Sequence, residues 1–446
     1  WPKPATLGDY DGTLTEVYVK QPWQHSLWKF GELSNYSNVF SIPVLFNIYL
    51  HDHGTAAEAR TKMQQGLAGG CYPNFWNTLG MKPMFRFLRE NAACFDFART
   101  VPTRFAVLPR GISNETAQQR LASDRTSPAR SVRDRFLAPY VGLYSAVARG
   151  GLPIVSRQRS DFHRDLAGFQ VLLLANEACL SDEQAAAVRR FVAAGGGLVA
   201  THETSLYDEW GRRRAEFGLA DLFGAHFAGQ VIARQQNAYL RFADTAHPLL
   251  AGFDGARRTI HGAARVELKE TAPGACPLLT IPSYPDLPME EVYVRKGSPE
   301  YPAVFAREHG KGRAVYFPFD LDRTFWEVMH PDHGRLMANA VRWASRGRQA
   351  AEVSGPGVVD IAVWRQAASL TVHLVNLTNP MMMRAPFREI IPVGGQELAL
   401  RLPGGVKPKG VRLLVSGGVH KWTVVDGVLR VHTPSIGLHE VVAVDL

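Results

Sequence analysis

Two carboxyl groups in the first hundred residues sit where an α/β protein keeps its chemistry. Glu16 lies within TLTEVYV (13–19), and Asp52 directly follows IPVLFNIY (42–49). Trp23, Gln24 and His25 follow the first of these segments, His51 and His53 flank Asp52, and Asn74, Trp76 and Asn77 close GGCYPNFW (69–76). Each segment reads as a short strand, so the strands end in aromatic and hydrogen-bonding residues rather than aliphatic ones. Such a mixture suits a sugar. Its C–H faces pack on aromatic rings, while its hydroxyls need amide, imidazole and carboxylate partners in fixed directions. Two carboxyl groups flanking a glycosidic bond are what glycoside hydrolysis requires, one as acid/base and one as nucleophile or water activator. Ordinary strand ends with half-buried aromatics remain the alternative, and Glu16 equally suits an outward position against a helix. His51 and His53 share one face of an extended segment, but no third ligand has a metal-site spacing. Neither a metal nor an organic cofactor is assigned.

A second polar group is Thr201-His202-Glu203-Thr204-Ser205, after the buried strand Leu198 to Ala200. A sharp strand-to-helix turn at such a place can present a nucleophile. No Cys occurs between Leu198 and Gly211, however, and Ser205 lacks the small flanking residues of a nucleophile elbow. His202-Glu203 is not a zinc-protease helix either, because Leu206 stands where the second His belongs. A scaffold, with His202 or Glu203 reaching toward a sugar, is the expectation.

The elements that must position these residues fall into three stretches. Residues 1–100 alternate strand, loop and helix, with helices over Ala56–Leu67 and Pro83–Phe97. That pattern fits either an open doubly wound sheet or part of a (β/α)8 barrel. Residues 101–350 hold a strand–helix–strand crossover. Val171 to Leu174 is a strand, Ser181 and Asp182 open a helix, Gly195 to Gly197 stop it, and a second strand follows at once. Residues 354–446 carry seven short alternating strands between Gly, Asn, Pro and Asp, the pattern of a small antiparallel β-sandwich. Asp426-Gly427 is its clearest hairpin turn. The aromatics Tyr316, Phe317, Phe319, Phe325 and Trp326 read as core, and Arg323 as an ion-pair partner of Asp320 and Asp322.

The middle stretch resembles the trimerisation domain of glycoside hydrolase family 42 β-galactosidases. The matching pieces are Gly196-Gly197-Leu198-Val199-Ala200-Thr201, Tyr207-Asp208-Glu209 with Arg212 to Arg214, and Leu219-Ala220-Asp221-Leu222-Phe223-Gly224. The order of the three stretches matches that family too. The resemblance implies a glycosidase barrel, an α/β domain of class I glutamine amidotransferase type and a β-sandwich. It also implies a retaining double displacement on β-galactoside-like substrates, and a homotrimer. Some α-L-fucosidase families share the layout, and Gly196 to Ser205 also resembles trehalose-utilisation proteins. A complete barrel takes about 250 residues. The opening hundred would then be its last third, and one catalytic carboxylate would lie before Trp1. On that reading this stretch alone lacks activity. The alternative from another class is a non-catalytic carbohydrate-binding or structural protein.

Bulk properties exclude several classes. A chain of 446 residues is too long for one core, and 46% hydrophobic with 20% charged residues describes a globular protein. No apolar run approaches the ~20 residues that span a bilayer, so no membrane partner is expected. The net charge of +9 comes from scattered arginines. The densest patch, Arg120 to Arg135, lies in a Ser/Thr-rich connector without interleaved aromatics, so nucleic acid is not an expected partner. Cys71, Cys94, Cys179 and Cys276 are far apart and read as free thiols of a reducing compartment, which with no visible secretion signal gives a cytoplasmic expectation.

Overall fold

The computed structural model describes residues 13–18, 44–49, 64, 67–68, 72–74, 82–95, 101–110, 121, 133–158, 162–164, 166–233, 235, 237–269, 278–281, 300–378, 389–404, 406–417 and 421–446. The chain opens with β1 (Thr13–Tyr18), β2 (Val44–Tyr49) and β3 (Tyr72–Asn74), which form a parallel sheet in chain order. Parallel neighbours in sequence order are common to an open sheet and to an arc of a barrel, and no closed cylinder is seen among the described residues. Helix α1 (Lys82–Glu90), a single 3-10 turn (Ala92–Cys94) and the two-residue β4 (Val101–Pro102) follow.

The middle of the chain builds β5 (Ala106–Arg110), a π-type turn over Arg133–Leu137 and helix α2 (Ala138–Arg149). The turn that leads into α2 is wound wider than the helix it precedes. Next come β6 (Ile154–Gln158), β7 (Val171–Leu174), α3 (Asp182–Ala193) and β8 (Gly197–Thr201). Helix α3 starts where its chemistry dictates. The Ser181 hydroxyl accepts the Gln184 N–H at 3.1 Å, and the Gln184 side chain returns the bond to the Ser181 N–H at 3.0 Å. Asp182 and Glu183 oppose the positive end of the helix dipole. Val188 and Val192 are fully buried on its inner face, each contributing roughly 1.5–3 kcal/mol. Gly195, at φ 114°, turns the chain into β8.

Helix α4 (Ala220–Phe223) precedes two small antiparallel sheets that the sequence pattern did not single out. One pairs β9 (His226–Ile232) with β12 (Arg265–Lys269). The other sets β10 (Tyr239–Phe242) between β11 (Arg258–Ile260) and β13 (Leu278–Ile281), with β14 (Tyr301–Pro302) at its edge. Then β15 (Phe305–His309) and β16 (Gly312–Phe317) return to the main sheet, and α5 (Leu321–Val328) and α6 (Pro331–Ala344) close this stretch. The main sheet runs β15-β16-β8-β7-β5-β6. It is parallel from β16 through β8 and β7 to β5, with β15 antiparallel at one edge. A Cβ on Gly197 would meet the Ala344 carbonyl oxygen at 2.6 Å, so the last residue of α6 reaches β8 only over a glycine.

The C-terminal stretch forms two antiparallel sheets around one core. The first is β17-β20-β23-β22, from β17 (Ala351–Ser354), β20 (Gln396–Arg401), β22 (Trp422–Val425) and β23 (Val428–Thr433). The second is β21-β24-β19-β18-β4, from β18 (Val359–Arg365), β19 (Ser369–Asn376), β21 (Gly410–Leu413), β24 (His439–Asp445) and the early strand β4. Alternate residues face inward, among them Ile361, Val372, Leu374, Leu398, Leu429, Val431 and Val442. Asp426 and Gly427 take φ 51° and 72°, as the tight hairpin turn expected there requires. The second sheet is buried on its other face as well, since Thr371, His373, Val441 and Ala443 are fully covered. The chain divides into two compact units. Residues 1–105, 148–156 and 349–446 form one, and residues 106–147 and 157–348 form the other. No helix among the described residues is long and apolar enough to cross a membrane.

Candidate functional site at the ends of the central strands

In the first unit the register places Glu16 opposite Asn47 and Asn47 opposite Asn74, so these three residues occupy one row across β1, β2 and β3. Asn47 was not singled out from sequence, because it is the one polar residue inside an apolar run. Trp23, His25, His51, Asp52 and Trp76 lie outside the described residues.

In the second unit the polar group lies at the carboxyl ends of β7, β8 and β16, next to the point where strand order reverses between β5 and β7. Open α/β sheets place their ligands at such a crevice. Three non-glycine residues there hold positive φ: Asn176 (44°), His202 (48°) and Ser205 (65°). His202 is the residue immediately after β8, the elbow position of the amidotransferase fold. Its backbone N–H donates to the Phe317 carbonyl at 2.7 Å, and the Tyr316 hydroxyl donates to its carbonyl at 2.6 Å. Left-handed backbone at a histidine costs of order 1–3 kcal/mol and persists only where surrounding bonds fix it.

The side chains around this elbow form one buried network. Arg135, from the π turn, donates to Glu203 Oε1 at 2.8 Å and Oε2 at 2.9 Å. Its other terminal nitrogen donates to the Leu121 carbonyl at 2.6 Å. The Tyr207 hydroxyl donates to Glu203 at 3.1 Å. Asn176 ties the three loops together. It donates to the Arg135 carbonyl at 3.0 Å, accepts the Glu203 N–H at 3.1 Å, and its own N–H reaches the Thr201 hydroxyl at 2.7 Å. The Thr201 hydroxyl in turn donates to Asp322 Oδ2 at 2.6 Å. Arg135 and Glu203 are each 3% exposed, and Asp322 is fully buried.

Burial dominates the electrostatics. It works against the Arg135 guanidinium, but Glu203 and Tyr207 together outweigh it and hold the pKa above the ordinary arginine value. Burial pushes Tyr207 well above its usual range, with Glu203 adding to the effect. It lowers His202, with the Glu203 and Asp320 carboxylates pulling the other way. It raises Asp322 to about 6, tempered by the Thr201 hydroxyl.

The polar groups of this arrangement bond mainly to one another. The elbow carries an imidazole, and the neighbouring carboxylate is consumed by Arg135. The Ser205 hydroxyl accepts the Leu219 N–H at 3.1 Å and is fully buried. The expectation that His202 or Glu203 reaches toward a sugar meets a different geometry. Both are inside, and both oxygens of Glu203 already accept hydrogen bonds. Arg323 bonds Asp320 and Glu327 as an ion-pair partner. Asp322 does not join that pair through its side-chain charge; it accepts the Arg323 backbone N–H and the Thr201 hydroxyl. Arg135 was visible in the sequence only as one of a run of arginines, and nothing local marks it as the partner of a residue 68 positions away.

The family profile for trehalose utilisation matches residues 150–344, which contain this network apart from Arg135 and Leu121. A comparison with curated protein sequences returned no match. Several solved structures share the fold over nearly the whole chain. α-L-Fucosidase isoenzyme 2 from Paenibacillus thiaminolyticus superposes with a TM-score of 0.73 at 15% identity, over 99% of this chain and 66% of that one. A family 42 β-galactosidase from G. stearothermophilus gives 0.62 at 14% identity, over 99% and 61%. The β-galactosidase from Bacillus circulans sp. alkalophilus gives 0.63 at 11% identity, over 99% and 61%. This chain therefore shares its fold with parts of those glycosidases, and its middle stretch matches the trehalose-utilisation profile. This chain spans just under two thirds of the length of those enzymes.

Proposed function

We propose that this chain serves glycoside hydrolysis, in the retaining mode, on β-galactoside-like or α-L-fucoside-like substrates. The observation that carries the proposal is the polar row Glu16–Asn47–Asn74 across three parallel strands, in a chain whose fold follows known glycosidases from end to end. In the proposal Glu16 and Asp52 supply carboxyl chemistry, and Trp23, His25, His51, Asn74 and Trp76 bind the sugar. His202 and Glu203 support the loops of the second unit. A homotrimer follows from the resemblance to family 42. The activity is proposed for a protein with the full layout of those enzymes.

The test begins with binding, which needs fewer groups than turnover. Galactose- and fucose-configured iminosugars are titrated into the chain by calorimetry. Trp76→Ala and Asp52→Asn should each weaken binding by about tenfold, a loss of ~1.4 kcal/mol. No binding of either sugar overturns the proposal. Turnover of aryl glycosides that survives in both Glu16→Gln and Asp52→Asn would move the chemistry elsewhere. Binding unaffected by Glu16→Gln, with no turnover in any longer chain, favours the second reading, a non-catalytic carbohydrate-binding protein.

A further inference from the structure

His373 on β19 and His439 on β24 lie side by side, with ring centroids 5.5 Å apart and planes tilted by 33°. Both residues are buried, and none of their four ring nitrogens has a hydrogen-bond partner among the described residues. Aromatic rings enclose them. Phe95 meets His373 edge-on at 5.4 Å, Phe87 meets His439 at 6.5 Å, and the two phenylalanines pack on each other at 5.4 Å. The imidazoles thus sit in a layer between the second sheet of the sandwich and the segment made of α1 and its 3-10 turn. Buried polar nitrogens are nearly always paired, so four unpaired ones in one layer call for an explanation.

Among the described residues no charge stands where it would welcome an imidazolium. His373 senses only His439, and His439 senses no charged neighbour. On α1, Arg86, Arg89 and Glu90 are exposed. On the 3-10 turn, Cys94 is the titratable group, and it senses Arg412 and Asp445, which pair with each other at 3.0 Å. On β24, the Glu440 carboxylate is occupied by the N–H groups of Val415, Ser416 and Val441.

We propose that His373 and His439 form an acid-sensitive latch, in which protonation of either ring releases the segment 82–95 from the sheet while the sandwich core on the opposite face stays intact. The direction follows from burial, which lowers His439 to about 3 and His373 well below its ordinary 6.5. Docking is complete above the free-histidine value and is lost progressively as pH falls below it. Each ring shifts the docking equilibrium about tenfold per pH unit, and the pair about a hundredfold. Release breaks the contacts of Phe87 with His439 and of Phe95 with His373. It is also the stretch that follows β3, where Asn74 stands, so acid would loosen the chain leading away from the proposed sugar rim. The latch itself does not depend on that proposal.

Hydrogen–deuterium exchange of the intact chain tests it, corrected for intrinsic rates, between pH 7.5 and 5.0. Amides of 87–95 should lose at least tenfold protection reversibly, while those of β19 keep theirs. Unchanged protection of 87–95, or its loss in step with β19, overturns the latch. In the His373→Leu/His439→Leu double variant the pH dependence of 87–95 should vanish; its persistence there overturns the latch equally. The wild-type measurement stands alone if the variant does not fold.

Discussion

Arg135 holds both oxygens of Glu203 with a single guanidinium nitrogen, at 2.8 and 2.9 Å, across 68 positions of sequence and with almost no solvent access. Two charges bury safely only as a pair. Glu203→Gln should therefore cost the second unit about 3–5 kcal/mol, because it strands a buried guanidinium. Urea denaturation reads the loss. Arg135→Met combined with Glu203→Leu should recover most of it, since two apolar side chains leave no charge behind. If the double variant is as unstable as Glu203→Gln, the cost lies in loop geometry instead of charge.

Asp322 makes the stability of the second unit depend on pH. Its folded pKa, about 6, exceeds the ordinary carboxyl value of 3.8. The stability it contributes is fully present below about 3.8 and is lost as pH rises through 6. Asp322→Asn keeps the acceptor for the Thr201 hydroxyl and removes the titration. Relative to wild type, the variant should gain about 2–3 kcal/mol between pH 4 and pH 8. Melting curves of both proteins at the two pH values decide it, and parallel behaviour would refute the assignment.

Gly197 begins β8 beneath the end of α6. An added Cβ would come within 2.6 Å of the Ala344 oxygen and 2.9 Å of the Ala344 Cβ. Gly197→Ala should destabilise by about 1–3 kcal/mol through overpacking. Gly404→Ala, where a Cβ meets nothing within 4 Å, is the matched control and should change stability by less than about 0.5 kcal/mol. Equal effects at the two sites would show that backbone entropy outweighs packing.

Elements whose signals are local were legible. The crossover β7–α3–β8 could be read because Ser181 and Gln184 cap a helix that three glycines end. The hairpin at Asp426-Gly427 could be read because only certain residues accept its dihedrals. The C-terminal strands followed from alternation, although β17 was missed, its four residues being too few to show a period. What stayed hidden is what distant pairs decide. Nothing near Arg135 names Glu203, and nothing near His373 tells that Phe95 will cover it. In the elbow, the sequence revealed the missing cysteine but not that His202 would adopt the strained backbone in its place.

The indole N–H of Trp364 donates to the Ala68 carbonyl at 2.9 Å, over a separation of 296 residues, and β4 joins its sheet beside the same tryptophan. A ribosome therefore releases Ala68 and Val101 long before their partners exist. The intervening stretch from 157 to 348 carries the strands of its own sheet from β7 onward and can collapse while translation continues. The flanking segments must wait, and loop closure of that length is slow. Nascent chains stalled before residue 364 should thus present Ala68 and Val101 unpaired to chaperones, whatever the final protein does.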